Sequence, residues 1–383
     1  MALPKNSSLT HVSEGGVAGV VSKLESQPLQ LAPAQDSAFN QARVPLIPIA
    51  CWRAEDIRFA FDSSFVQPEM QKELTHLREI REELKKNLPA AGSATPLTVY
   101  PPITIFAHAD PVGSDDYNKS LSGRRAISVY ALLTRNTSLW EELFSTPLGN
   151  DQWNPNAINS ALAALGDSDV SHFQSRHGLP ATNHCDAATR KALFLEYMNQ
   201  LCGSDFRLNP QDDFLAGTDP GGKGDYQGCS EFNPTLLFSE NDTNEFNKPE
   251  NHPSRNAANA PNRRVLVLLF EPLTKIVAAQ WPCPRAKEGV HACRARFWSD
   301  GEKRRQPSAV PRRYVKTADT FACRFYDRLA GPSPCEGNLV VLADWRARRV
   351  APIESDPFVD PALPKNDPLR EGELAVEDGS EWL

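Results

Sequence analysis

The chain has 383 residues, with 41 Lys+Arg against 48 Asp+Glu and a formal net charge of -7. That length accommodates two or three domains of roughly 100 to 200 residues, and the charge supplies no global basic field of the kind a nucleic-acid or anionic-membrane partner requires. The 32 prolines exceed the roughly 5% norm and point to folded units joined by extended connectors. No stretch approaches 18 uninterrupted apolar residues, so no transmembrane helix is expected. The N-terminus lacks a charged region followed by an apolar core and a cleavage site, so no signal peptide is read there.

Residues 1–50 mix Ser, Gln, Ala and Pro and read as an irregular arm, with a short helix near Val17 to Leu24. Order begins at about Cys51. Ile57, Phe59 and Phe61 alternate with Arg58 and Ala60, the period of a half-buried strand. Pro68 suits a first helical turn, where its missing N–H is unpaired anyway, and Met70, Leu74, Leu77, Leu84 and Leu88 follow at helical spacing until Pro89. A second strand is expected from Pro102 to Ala107 and a polar loop from His108 to Asp116. The helix that follows carries Ala126, Val129, Tyr130 and Leu133 on one stripe. Residues 150–200 read as helix-rich and 203–262 as mostly loop. Val265 to Phe270 reads as a central strand buried on both faces.

The stretch AHADPVGSDDYNKSLSGRRA, residues 107–126, resembles the signature of OmpA/MotB-like C-terminal domains, which bind peptidoglycan. His108, Asp110, Gly113, Ser114, Tyr117, Asn118, Leu121, Ser122, Arg124, Arg125 and Ala126 match at unbroken spacing. Residues 57–77 are similar to that family's first strand and helix, and NAPNRRVLVLLF, residues 259–270, to its closing strand. The family's usual Thr and Gly are Ala109 and Ala107 here. The resemblance implies that Asp110 takes the ammonium and Arg125 the carboxylate of diaminopimelate in the stem peptide. Tyr117, Asn118 and Ser114 accompany them, and His108, Leu121, Arg263 and Arg264 are secondary candidates.

The residues carry the same chemistry without the name. Asn118, Ser122 and Arg125 fall at i, i+4 and i+7, so one helical face looks toward the Asp110 loop. An anionic acceptor near a planar cationic fork suits a ligand bearing both an ammonium and a carboxylate. The competing reading is a plain Asp110–Arg125 ion pair that anchors loop to helix. For Arg263 and Arg264, salt bridges at the sheet edge compete with ligand contact.

Residues 172–194 resemble a small helical peptidoglycan-binding domain through Phe173, Gln174, Gly178, Leu179, Asp186, Thr189, Ala192 and Leu193. Those positions read as structural, with Asp186 capping a helix whose first turn holds Thr189. The spacing of His172, His177, His184 and Cys185 fits no regular pair of metal ligands, so no metal is expected.

Cys283 and Cys293 have nine residues between them, and Cys323 and Cys335 have eleven, which favours two local disulfides over a zinc ribbon. Arg294 to Tyr314 interleaves basic and aromatic residues. A solvated loop neutralised by the acidic tail is the favoured reading there, ahead of a glycan or nucleic-acid surface. No nucleophile elbow, P-loop, dinucleotide fingerprint or H-E-x-x-H occurs, so catalysis and cofactors are not expected.

The sequence therefore predicts an α+β fold: an OmpA-like βαβα-type mixed sheet with two helices, interrupted by a helical insert and followed by a cysteine-containing extension. The expected division is 1–50 arm, 51–138 first part, 139–202 insert, 203–272 closing part, 273–345 extension and 346–383 acidic tail. The expected function is non-catalytic binding of peptidoglycan in the cell envelope or periplasm. The chain would anchor other proteins of a larger assembly, for example a contractile injection apparatus, by an unknown export route. The rivals are a cell-wall hydrolase or toxin with the same targeting module, and a structural protein that does not bind wall.

Overall fold

A computed structural model describes residues 48–54, 59, 62–90, 92, 94–153, 155–232, 234, 236–281 and 283–294, and the backbone of 312–313. The expected short helix near Val17 to Leu24, most of the expected strand from Ile57 to Phe61, most of the basic–aromatic stretch, the Cys323–Cys335 pair and the acidic tail lie outside them.

The fold is mixed α+β. A four-stranded sheet is built from β1 (Pro48–Ala54), β4 (Ile103–His108), β5 (Tyr226–Gly228) and β7 (Arg264–Phe270), in the order β1-β7-β4-β5. β7 runs antiparallel to both β1 and β4, while β4 and β5 are parallel. The short strands β2 (Lys86–Leu88) and β3 (Leu97–Val99) form a hairpin, and β6 (Leu236–Leu237) pairs with β8 (Arg312–Arg313). Every residue of β7 is buried, as its uninterrupted apolar run predicts for a central strand. Val265, Val267 and Leu269 meet Ile103, Ile105 and Ala107 in the main core, while Phe106, on the opposite face, reaches the ring of Trp281.

Helix α1 (Met70–Leu84) buries Met70, Leu74, Leu77, Ile80 and Leu84 against β1 and the later helices. It ends one turn before the expected stop. Lys85 is extended, and Lys86 to Leu88 pair with Leu97 to Val99 instead. Pro89 disfavours the helical conformation for Leu88, and the hairpin supplies the backbone partners that another helical turn would have given.

Helix α2 (Asp115–Thr134) packs on β4 and β5. It sits so close that a Cβ on Gly228 would lie 2.2 Å from the backbone nitrogen of Gly123. On its other side a Cβ on Gly123 would lie 2.2 Å from the carbonyl oxygen of Ala286. Lys119, itself buried, donates to the carbonyls of Arg285 and Ala286 at 3.0 and 3.2 Å, so the segment 283–294 straps across this helix. Cys283 and Cys293 lie buried in that strap and are not disulfide-bonded, which corrects the expected bridge between them. Lys119 and the ion pairs Arg285–Asp219 and Arg294–Asp115 hold the strap.

Between α2 and β5 come α3 (Thr137–Ser145), α4 (Asn156–Leu165), α5 (Val170–Arg176) and α6 (Ala187–Cys202). Asp186 caps α6 by accepting from Thr189 N at 2.8 Å, and Gln174 ties the preceding turn together through Thr182, His184 and Thr189. These helices share the core of the sheet domain. Phe65 stacks on Tyr197 with ring centroids 5.6 Å apart and meets Trp153 edge-on at 5.2 Å. Two short helices, α7 (Glu240–Phe246) and α8 (His252–Ala258), lead into β7.

Candidate functional site

The C-terminal end of β4 and the start of β7 lie side by side, because the antiparallel register pairs His108 with Arg264. The next residues on each strand therefore meet. Asp110, two residues past His108, places Oδ2 2.5 Å from Arg263 Nη1, with both side chains at most 6% exposed. Its other oxygen accepts from Val112 N at 2.9 Å, a turn that folds the loop back toward α2. Asp110 is thus fixed by an arginine 153 residues away.

The first turn of α2 is organised by Ser114, whose side chain accepts from Tyr117 N at 3.3 Å. This is the favoured chemistry of an N-cap. Asn118 follows one turn on, and its amide nitrogen donates to the carbonyls of Asp110 and Val112 and to the carboxylate of Glu231. That nitrogen faces three oxygens, so the amide oxygen is turned the other way, toward Gly113. Arg125, two turns further, is fully buried. Its Nε donates to Ser63 O at 2.8 Å, and its guanidinium lies over the ring of Phe59 at 5.3 Å.

Between these elements lies a small, partly enclosed pocket lined by Asp62, Ala109, Asp110, Val112, Asn118, Leu121, Arg125 and Arg263. Of the residues singled out from sequence, Asp110, Asn118, Leu121, Arg125 and Arg263 line it. Ser114 serves as the helix cap instead. Tyr117 stands behind the wall, donating its hydroxyl to Asp62 at 2.6 Å; burial first, then this bond to the carboxylate, pushes its ionisation well above the ordinary tyrosine range. His108 lies beneath the loop with Nδ1 3.2 Å from Phe232 O, and Arg264 is buried with Nη1 donating to Asn262 O at 3.1 Å. Neither of these two lines the pocket.

Asp62 is the charged pocket residue that sequence reasoning missed. Its backbone has φ +54°, and its carboxylate accepts from Tyr117 and, at 3.0 Å, from Asn150. The available signal was an acidic residue in a short polar break, Asp62-Ser63-Ser64, between two apolar runs.

Two carboxylates and two guanidiniums thus meet at one small opening. A carboxylate has about four acceptor positions, of which Asp110 uses one for Val112 and one for Arg263. It retains capacity for an ammonium. On the helical segment, His172 and His177 are engaged by the carboxylates of Asp167 and Glu196, which Arg176 links. Comparison with protein-family models, with curated proteins and with solved structures finds no match.

Proposed function

We propose that the chain is a non-catalytic peptidoglycan-binding protein that receives the diaminopimelate of a stem peptide in the pocket between the Asp110 loop and α2, and so anchors a larger assembly to the cell wall. One observation carries the reading. Asp110, Asn118 and Arg125 of the stretch that resembles the OmpA-like signature converge with Asp62 and Arg263 on one small, partly enclosed pocket bearing acceptors and guanidiniums together. β1, α1, the β2–β3 hairpin, β4 and α2 follow one another along the chain, a mixed succession of strands and helices on which the resemblance would lay its βαβα arrangement. In this reading Asp110 takes the ligand ammonium, while Arg125 and Arg263 take its carboxylate. Each such charge-assisted bond contributes about 1.5 to 3 kcal/mol.

A second reading has its own support. Asp110 is already ion-paired with Arg263, and Arg125 is fully buried, as in a purely structural junction that binds no wall. Co-sedimentation with purified sacculi separates the two. The wild-type chain is expected to pellet with diaminopimelate-type sacculi more than with lysine-type sacculi. Asp110→Asn and Arg125→Lys, each checked for an unchanged circular dichroism spectrum, are expected to lose at least about tenfold in affinity. Folded variants that pellet like the wild type would sink the site assignment, and a wild type that stays in the supernatant would favour the structural reading.

A further inference from the structure

The turn Leu148 to Asp151, where the chain leaves α3 for the helical segment, reaches the back of the pocket wall. Asp151 is fully buried, and its carboxylate accepts from Ser64 N at 2.7 Å, Ser64 Oγ at 2.6 Å, Ser63 Oγ at 3.2 Å and Arg124 Nε. Four donors on one buried carboxylate make a rigid joint, because each alternative arrangement would leave buried groups unsatisfied. Ser63, gripped in this way, is the residue whose carbonyl receives Arg125 Nε.

The same turn supports the other acidic wall. Asn150 donates Nδ2 to Asp62 Oδ2 at 3.0 Å, and the Tyr117 hydroxyl that holds Asp62 Oδ1 lies 3.4 Å from Leu148 O. Gly149, at φ +55°, lets the turn seat the Tyr117 ring, since a Cβ there would fall 2.9 Å from it. Reciprocal backbone bonds between Leu148 and Asp151, at 3.3 and 2.8 Å, close the turn on itself.

We propose that the Leu148–Asp151 turn is the positioning element of the pocket: Asp151 fixes Ser63 and through it Arg125, while Asn150 and Leu148 fix Asp62 and Tyr117. Affinity for the zwitterionic ligand is thereby set from the root of the helical segment. This rests on the peptidoglycan reading of the pocket. It also gives the helical segment a role that requires no ligand contact of its own.

The test is calorimetric titration of the full chain with a diaminopimelate-containing tripeptide, alongside thermal melting of each variant. Asn150 is exposed, so its substitution leaves the packing intact. Asn150→Ala is expected to weaken binding roughly tenfold with little change in melting temperature. Asn150→Gln, which keeps the amide donor, is expected to recover most of that loss, and Asn150→Asp, which sets a like charge against Asp62, to be the weakest of the three at neutral pH. Asp151→Asn is expected to lose affinity as well as stability. Wild-type binding that all three Asn150 variants match within about twofold, inside the scatter of an exposed contact, overturns the positioning role alone. Absence of binding by the wild type overturns the peptidoglycan reading and this proposal with it.

Discussion

Asp225 shows how one buried residue ties the loop before β5 to the sheet. Its carboxylate accepts from Ala216 N at 2.7 Å and Gly217 N at 3.0 Å, which folds the glycine-rich stretch back on β4. Burial outweighs these bonds and pushes its pKa up from 3.8 to about 6. The native state therefore holds this proton more tightly than the unfolded chain does. Its contribution to stability is greatest below the unfolded value of 3.8 and is lost as pH rises through about 6. The difference amounts to about 3 kcal/mol between those limits. Asp225→Asn, which keeps an acceptor oxygen without the charge, is expected to remove most of that dependence and to be the more stable protein at pH near 7.5. Urea unfolding of both proteins at several pH values checks this, and parallel stability curves would overturn it.

Among the elements, α2 makes the tightest demands. It carries Asn118, Leu121 and Arg125 on the pocket side, and Lys119 and Gly123 on the side covered by the strap 283–294. Gly123→Ala pushes a methyl group into the carbonyl of Ala286 and is expected to cost about 1 to 3 kcal/mol, or to release the strap. A lowered urea midpoint, with faster thiol labelling of the buried Cys283 and Cys293, would register it. An unchanged midpoint and labelling rate would show that the contact yields freely. Periodicity located α1, α2 and β7 because each buries a face that the local spacing already defines. It overran at Leu88, since a leucine in register with a helix is equally at home in a hairpin, and only the partner strand Leu97–Val99 decides between them. The expected Cys283–Cys293 bridge failed for a related reason: spacing limits which cysteines can meet, but it does not bring them together.

For the whole molecule, the helices of residues 137–202 and the sheet share one hydrophobic core, with Phe65, Trp140, Trp153, Phe194 and Tyr197 at its centre. A shared core couples the stability of its parts. Urea unfolding followed by tryptophan fluorescence and by far-ultraviolet circular dichroism is therefore expected to give coincident single transitions, and Trp140→Ala to shift both together by about 3 to 5 kcal/mol. Two separated transitions would show the helical segment to be an independent unit. The sequence alone was enough to place the Asp110 loop and the shared face of Asn118 and Arg125, because these are set by spacing over one loop and two helical turns. Tertiary structure alone decided that Arg263 holds Asp110, that Asp62 completes the pocket and that Asp151 braces it. Those pairings join residues far apart in the chain, and they follow from strand register and shared packing, which no local pattern encodes.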